Sequence, residues 1–438
     1  MNNADILIIG VGATGLMAAN ILAKAGKKVI VLEARDRCGG RIHTINQGAF
    51  FKDTELGAEF IHGDLPVTLN LLKEAGITYQ PAYGEMWHYK NGRFDNDGGV
   101  IEGWGLLEEK LKTIDKDLSI NDFLDKEFVG DEYSDLKNSV RQFAAGYDSA
   151  DPDKGSTFAL RNEWLSEDED AQYRVKGGYG KIVDYLEETI KNAGGNIFLN
   201  SIVKEIQWLP GNIKAVTNNG TVYEAAQLVI ALPLGVLQAG KDQLGAIAFN
   251  PPIPEKIDAI NKMGFGAIIK VLLEFDEPFW TDKQTEALAG KSLENMSFLL
   301  SEEEIRTWWT QAPELSPVIT GWLGGPAAAA KKDVPDEDIL RQSLQSLSNI
   351  FKRDIEELKA KLVASRIVNW TNDPFTRGSY AYDTVSASAF REILEKPVAN
   401  TLFFAGEYLY EGAAMGTVEA ALTSGEEVAK KIIGWPST

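Results

Sequence analysis

The chain has 438 residues, enough for two intertwined domains with large cores. Hydrophobic residues make up 44% and charged residues 25%, the balance of an ordinary soluble globular protein. A net charge of −20 argues against nucleic acid as a partner, favours solubility and attracts cations by long-range steering. The single cysteine, Cys38, can form no intrachain disulfide, which fits a reducing, cytoplasmic setting; a packing role is expected for it. His43, His62 and His88 have no metal-ligand spacing, so no metal is expected. No basic leader precedes the first apolar run, and no stretch of about 18 apolar residues occurs, so neither a secretory signal nor a membrane anchor is expected.

Residues 5–9 (DILII) read as a buried strand, GVGATG at 10–15 as a turn, 16–25 as a helix stopped by Gly26, and 28–32 (KVIVL) as a second strand ending at Glu33. This is a βαβ opening. A helix over 65–76 follows, then helical periodicity with scattered glycines over 104–150. The segment 176–195 reads as a helix leading to a strand at 196–199. Strands are expected at 201–208, 213–217, 221–225, 227–231 and 266–275, acidic amphipathic helices over 336–362, a strand at 401–404 and a helix over about 416–433. GGPAAAAKKD at 324–333 reads as a loop or helix start.

Gly10, Gly12 and Gly15 satisfy GxGxxG directly after a strand and at the opening of a helix, with Ala13 and Thr14 between them. The first glycine permits the tight turn, the second lets backbone approach a pyrophosphate, and the third lets helix and strand pack closely. The helix N-terminus offers free N–H groups to phosphate, and Glu33 can accept hydrogen bonds from a ribose. GGR at 39–41 follows, where Gly39 and Gly40 admit a second approach to the pyrophosphate and Arg41 can neutralise it. Nicotinamide enzymes have no need of that element. FAGE at 404–407 before a terminal helix adds a third approach, aimed at the flavin of FAD.

Together these stretches resemble the flavin-containing amine oxidase family over nearly the whole chain. The resemblance rests on GVGATG, LEARDRCGGR at 32–41, ELGAEFIHG at 55–63, KGGYGKIVDYL at 176–186, IALPLGVL at 230–237, FDEPFW at 275–280, WTNDPFTRGSYAY at 370–382 and FFAGEYLYEGAAMGTVEAALTSG at 403–425. The block around RGSY is most similar to the polyamine oxidase and lysine-specific histone demethylase branch. The resemblance implies an α/β fold: a Rossmann-like FAD-binding domain of glutathione-reductase type, formed by 1–80, 174–250 and 362–438, interleaved with an α+β substrate-binding domain of 81–173 and 251–361.

It also implies roles. Ala34 and Arg35 after Glu33, Gly406 and Glu407, and Thr417 and Val418 at the last helix belong to the cofactor cradle. Gly57, Ala58 and Glu59 run beside the flavin, and Val203 reaches the adenine through its backbone. Trp370 and Tyr380 wall the substrate side, with Glu59, His62 and Thr417 also facing the pocket. Lys270 matches a lysine that holds water against the reactive flavin nitrogen. Where the monoamine oxidase branch has a flavin-linking cysteine, this chain has Ser379, which implies non-covalent FAD.

The expected reaction is hydride transfer from a primary or secondary amine to flavin, with dioxygen reduced to hydrogen peroxide. The substrate is expected to be cationic and polyamine-like, and the protein a monomer or homodimer. Tyr382 and Tyr408 read equally as cavity walls or as core. The acidic run SEDED at 166–170 reads as a solvated loop or, less simply, as a substrate contact. An L-amino-acid oxidase, which would need an arginine clamp, a flavin dehydrogenase and a flavin-binding regulatory protein are the rival readings.

Overall fold

A computed structural model describes residues 2–48, 50–96, 103–165 and 171–434. The acidic run 166–170 lies outside the described residues. Two large sheets organise the chain. The first has at its centre the buried strand Asn3–Ile9, parallel to Val29–Leu32 on one side and Val222–Ile230 on the other. Asn196–Phe198 extends it beyond Val29–Leu32, and Leu402–Phe404 pairs with Leu228–Ile230. These parallel strands are near-continuous hydrophobic runs because helices cover the sheet. Ala13–Lys24 packs against Gly180–Asn192 and against the last helix, Val418–Ile433.

Val222–Ile230 is one strand, where a break at Ala226 was expected. Its first half pairs with the antiparallel strand Asn212–Thr217 and its second half with Leu402–Phe404, while Asn3–Ile9 runs beside almost its whole length. Pairing on both sides overrides the weak strand preference of the Ala225–Ala226–Gln227 stretch.

The second sheet has seven strands in the order Leu362–Asn369, Ile268–Phe275, Val318–Gly324, Thr307–Trp309, Met296–Ser301, Glu85–Lys90 and Arg93–Asp95. Leu362–Asn369, expected with the cofactor segments, is an edge strand here. The chain rejoins the first sheet only at Leu402–Phe404. Behind this sheet Asp336–Phe351 and the rings of Trp87, Phe275, Phe279, Trp280 and Trp308 make a second core. The helices Trp104–Thr113, Ile120–Glu127 and Ser134–Gly146 form a third cluster around Phe123 and Phe128. A small sheet of Ile61–His62, Gln172–Val175 and Tyr79–Pro81 lies among these parts in sequence and brings residues 59–63 beside Arg174.

Candidate active site

The first strand ends at Ile9, and the backbone must reverse within Gly10–Gly12 to start the helix at Ala13. Gly10 takes φ +99°, and a Cβ there would collide with the Ala231 carbonyl, so only glycine fits. Gly12 has an ordinary φ of −79°, and a Cβ on it would meet no protein atom within 4 Å. The helix carries no side-chain cap at Gly12, so its first N–H groups are left for a ligand. Gly40 lies over this turn: its Cβ direction comes within 3.3 Å of the Gly12 Cα.

Glu33 is buried and accepts from the Val11 N–H at 2.8 Å and the Arg35 N–H at 3.0 Å. Burial outweighs these bonds and raises its pKa. Arg35 turns to Asp373, at 2.9 and 2.6 Å, and to the Thr376 hydroxyl. Arg41 pairs with Glu407 at 3.0 Å and donates to the Ser379 carbonyl; Glu407 also accepts from the Ala381 N–H at 3.2 Å. Thr417 caps the last helix by accepting from the Ala420 N–H.

One cavity of about 3000 Å³ joins these groups to the second sheet. Single-ligand sites commonly hold roughly 300–1,000 Å³, so this one has room for a dinucleotide and a substrate. Gly10, Gly12, Ala13, Thr14, Glu33, Ala34, Arg35, Gly40, Arg41, Val203, Gly406, Glu407, Thr417 and Val418 line it. Gly57, Ala58, Glu59, His62, Lys270, Trp370 and Tyr380 line it too. Gly15 does not: a Cβ there would collide with the Gly10 carbonyl, so its part is the close packing of helix on strand. Tyr408 is fully buried in the core behind the first sheet, whereas Tyr382 lines the cavity. Cys38 packs half-buried against the core, and burial pushes its thiol up to about 12.

Lys270 sits mid-strand in Ile268–Phe275 with 1% exposure. Its ammonium donates to Glu59 Oε2 at 2.9 Å and to the Gly57 carbonyl at 3.3 Å, 5.3 Å from the Trp309 ring centre. Glu59 accepts further bonds from Trp309 Nε1 at 3.0 Å, Arg174 Nε at 3.1 Å and Gln311 Nε2 at 3.2 Å. Burial alone would raise its pKa; Lys270 and Arg174 reverse the sign and hold it at about 2. Trp370 donates its indole N–H to the Leu56 carbonyl at 2.9 Å.

Aromatic rings continue from this point along the cavity. Trp322, Trp309, Phe60, His62, Tyr147 and Phe143 follow one another at centroid separations of 5.2–6.1 Å. Burial lowers the His62 pKa to about 4, so its ring is neutral near pH 7. Tyr380 donates its hydroxyl to the Tyr147 carbonyl. Beside these tyrosines lie two cavity-lining carboxyls, Asp148 and Glu163, hydrogen-bonded to each other. Burial raises both, Glu163 to about 7, and the neighbouring Glu163 carboxyl raises Asp148 further, which favours retention of a proton by the pair near neutral pH. The sequence reading passed over Arg174, Trp309, Trp322, Tyr147 and this carboxyl pair. The acidic run at 166–170, just after Glu163 in sequence, is the nearest feature that the sequence alone singles out.

A family model described as flavin containing amine oxidoreductase matches residues 13–433. The chain belongs to this family. Its cofactor is therefore a flavin, and the glycine turn, Glu33 and the uncapped helix suit FAD. Lysine-specific histone demethylase 2 of Homo sapiens is 28% identical, with 98% of this chain and 53% of that protein covered. Polyamine oxidase 3 of Oryza sativa subsp. japonica is 27% identical, covering 98% and 89%. The chain thus spans about half the length of this demethylase. Among solved structures, putrescine oxidase bound to putrescine superposes with a TM-score of 0.79 at 20% identity, covering 99% of both chains. Cyclohexylamine oxidase from Brevibacterium oxydans IH-35A gives 0.79 at 19% identity, covering 98% and 99%. These likenesses show the fold. Among the described residues no helix is long and apolar enough to cross a membrane, and no cluster of metal-ligating side chains occurs.

Proposed function

We propose that this chain is a cytoplasmic FAD-dependent oxidase of cationic di- or polyamines, acting as a monomer or homodimer and releasing hydrogen peroxide. The observation that carries this reading is the single cavity that joins a dinucleotide cradle to an aromatic chamber containing Lys270 and a carboxyl pair. The two sheets are read as a cofactor domain and a substrate domain that meet at this cavity. Helix N–H groups at Ala13 and Thr14 and the Arg41 guanidinium bind the pyrophosphate; Glu33 binds ribose; Thr417 and Val418 face the flavin. Ser379 in place of a linking cysteine makes the attachment non-covalent.

When bound, the flavin supplies the redox chemistry, taking a hydride from the carbon beside the amine nitrogen and passing two electrons to dioxygen. The residues of the chain do the rest. Trp370, Tyr380 and the rings from Trp322 to Phe143 exclude water, which lowers the pKa of the reacting ammonium and favours the neutral amine. Asp148 and Glu163 receive the distant ammonium of the same substrate, which replaces their shared proton. Lys270 presents its ammonium to the reacting end of the cavity.

The test is anaerobic titration of the yellow protein with putrescine, spermidine, spermine, cyclohexylamine and L-amino acids, followed by admission of air. Bleaching by diamines and polyamines with one peroxide per turnover is expected. Bleaching without peroxide points to a dehydrogenase, and no bleaching by any amine sinks the reading.

A further inference from the structure

We propose that Glu59 is a positioning residue for Lys270: it aims the ammonium into the cavity and balances its charge, and it touches neither the amine nor the cofactor. The inference rests on the amine oxidase reading of the cavity and departs from the placement of Glu59 among substrate or cofactor contacts.

The geometry around Glu59 carries the argument. A carboxylate has about four lone-pair sites, and one meant for a substrate ammonium keeps some of them free. Here both oxygens are occupied by protein donors, Oε2 by Lys270 and Trp309 and Oε1 by Arg174 and Gln311. The side chain of Glu59 is 5% exposed and that of Lys270 1%. A lysine in the middle of a buried strand points its ammonium wherever its partners allow. Glu59 and the Gly57 carbonyl take two of its three N–H donors from one side, which leaves the third for the cavity.

Arg174 fixes Glu59 in turn. Its guanidinium donates to the Thr310 carbonyl at 2.9 Å and the Ala312 carbonyl at 2.8 Å and lies 4.5 Å from the Phe60 ring centre. A rigid lysine tuned by a fixed carboxylate is the arrangement that sets the field at a neighbouring redox group. With Glu59 in place, the lysine charge is largely cancelled. Without it, the bare ammonium would favour the extra negative charge of a reduced flavin.

Glu59→Gln, Lys270→Met and the double variant test this on the FAD-loaded protein. The readouts are the flavin midpoint potential and, under anaerobic conditions, the rate of reduction and the dissociation constant for putrescine. We expect Glu59→Gln to raise the potential, change the reduction rate at least about threefold and leave the putrescine dissociation constant within about twofold. In the Lys270→Met background the potential still shifts, because Arg174 loses its partner, but Glu59→Gln should change the reduction rate no further, since there it acts through the lysine.

A tenfold weaker putrescine affinity with an unchanged potential would make Glu59 a substrate carboxylate and overturn the proposal. So would a change in reduction rate of equal size in both backgrounds. If Glu59→Gln fails to take up FAD, the double variant decides: uptake restored supports charge pairing, and uptake still lost rejects it. The potential needs no substrate, so a protein that binds FAD but is reduced by no amine would refute the oxidase reading and still answer this question.

Discussion

Glu59 and Lys270 are 211 positions apart in sequence and meet at 2.9 Å. Replacing the lysine does not orphan the buried carboxylate, because Arg174, Trp309 and Gln311 still donate to it. Lys270→Met is therefore expected to fold and hold FAD while slowing flavin reduction or reoxidation at least about tenfold, a barrier rise of about 1.4 kcal/mol. Stopped-flow traces of the two half-reactions measure this, and unchanged rates in both would remove Lys270 from the chemistry. The carboxyl pair gives a second expectation. Glu163 titrates near 7 in the folded protein against an ordinary value of 4.5. Its raised value means that the folded state holds the proton more tightly, so stability is present below about 4.5 and is lost as the pH climbs through 7. Asp148 is itself raised, by burial and by the Glu163 carboxyl, and adds to the same loss; Asp148→Asn removes that share and should narrow the fall in Tm between pH 5 and 8 on the order of 2 °C. Parallel Tm–pH curves for the two proteins would contradict it. These partners were invisible in the sequence because each lies on a different segment. Gly10, Gly12 and Glu33 were legible because their geometry is local, a turn and a strand end.

The glycine turn and its helix act as one unit. Gly12 has a φ that alanine adopts freely, and the added methyl group would meet only the cavity. Gly12→Ala should leave the apoprotein Tm nearly unchanged while weakening FAD binding at least about tenfold, about 1.4 kcal/mol. Gly10→Ala, at φ +99° and against the Ala231 carbonyl, should fail to fold. Fluorescence titration with FAD and thermal melts separate the two; normal affinity in Gly12→Ala would place the cofactor elsewhere. At this scale the helices were the most readable elements, because their apolar residues repeat with one face buried, as in Gly180–Asn192 and Asp336–Phe351. The strands Met296–Ser301 and Val318–Gly324 escaped notice: their short apolar runs carry no alternation that distinguishes a strand from a buried helix.

Across the whole molecule, 64 acidic against 44 basic residues set the long-range field. A dication is drawn in by that field, and salt screens it. Raising ionic strength from about 0.01 to 0.5 M should lower kcat/KM for a diamine several-fold and leave kcat unchanged. A salt-independent kcat/KM would restrict the charge to a role in solubility. Motifs for one cofactor at the beginning, middle and end of the sequence led to the expectation of one domain interrupted by another, and strands of the first sheet come from those three regions. Leu362–Asn369 joins the second sheet because it pairs with Ile268–Phe275, a partner distant in sequence that no local pattern reveals.

The close contact of Val418–Ile433 with Ala13–Lys24, where Gly425 lies against the Thr14 carbonyl, has a consequence for biosynthesis. A ribosome makes the nucleotide-binding turn about 400 residues before it makes the opposing helix. Loading of the vitamin-derived group thus waits until that helix has emerged, and a nonsense codon near position 400 would yield a colourless polypeptide with every glycine of the fingerprint intact.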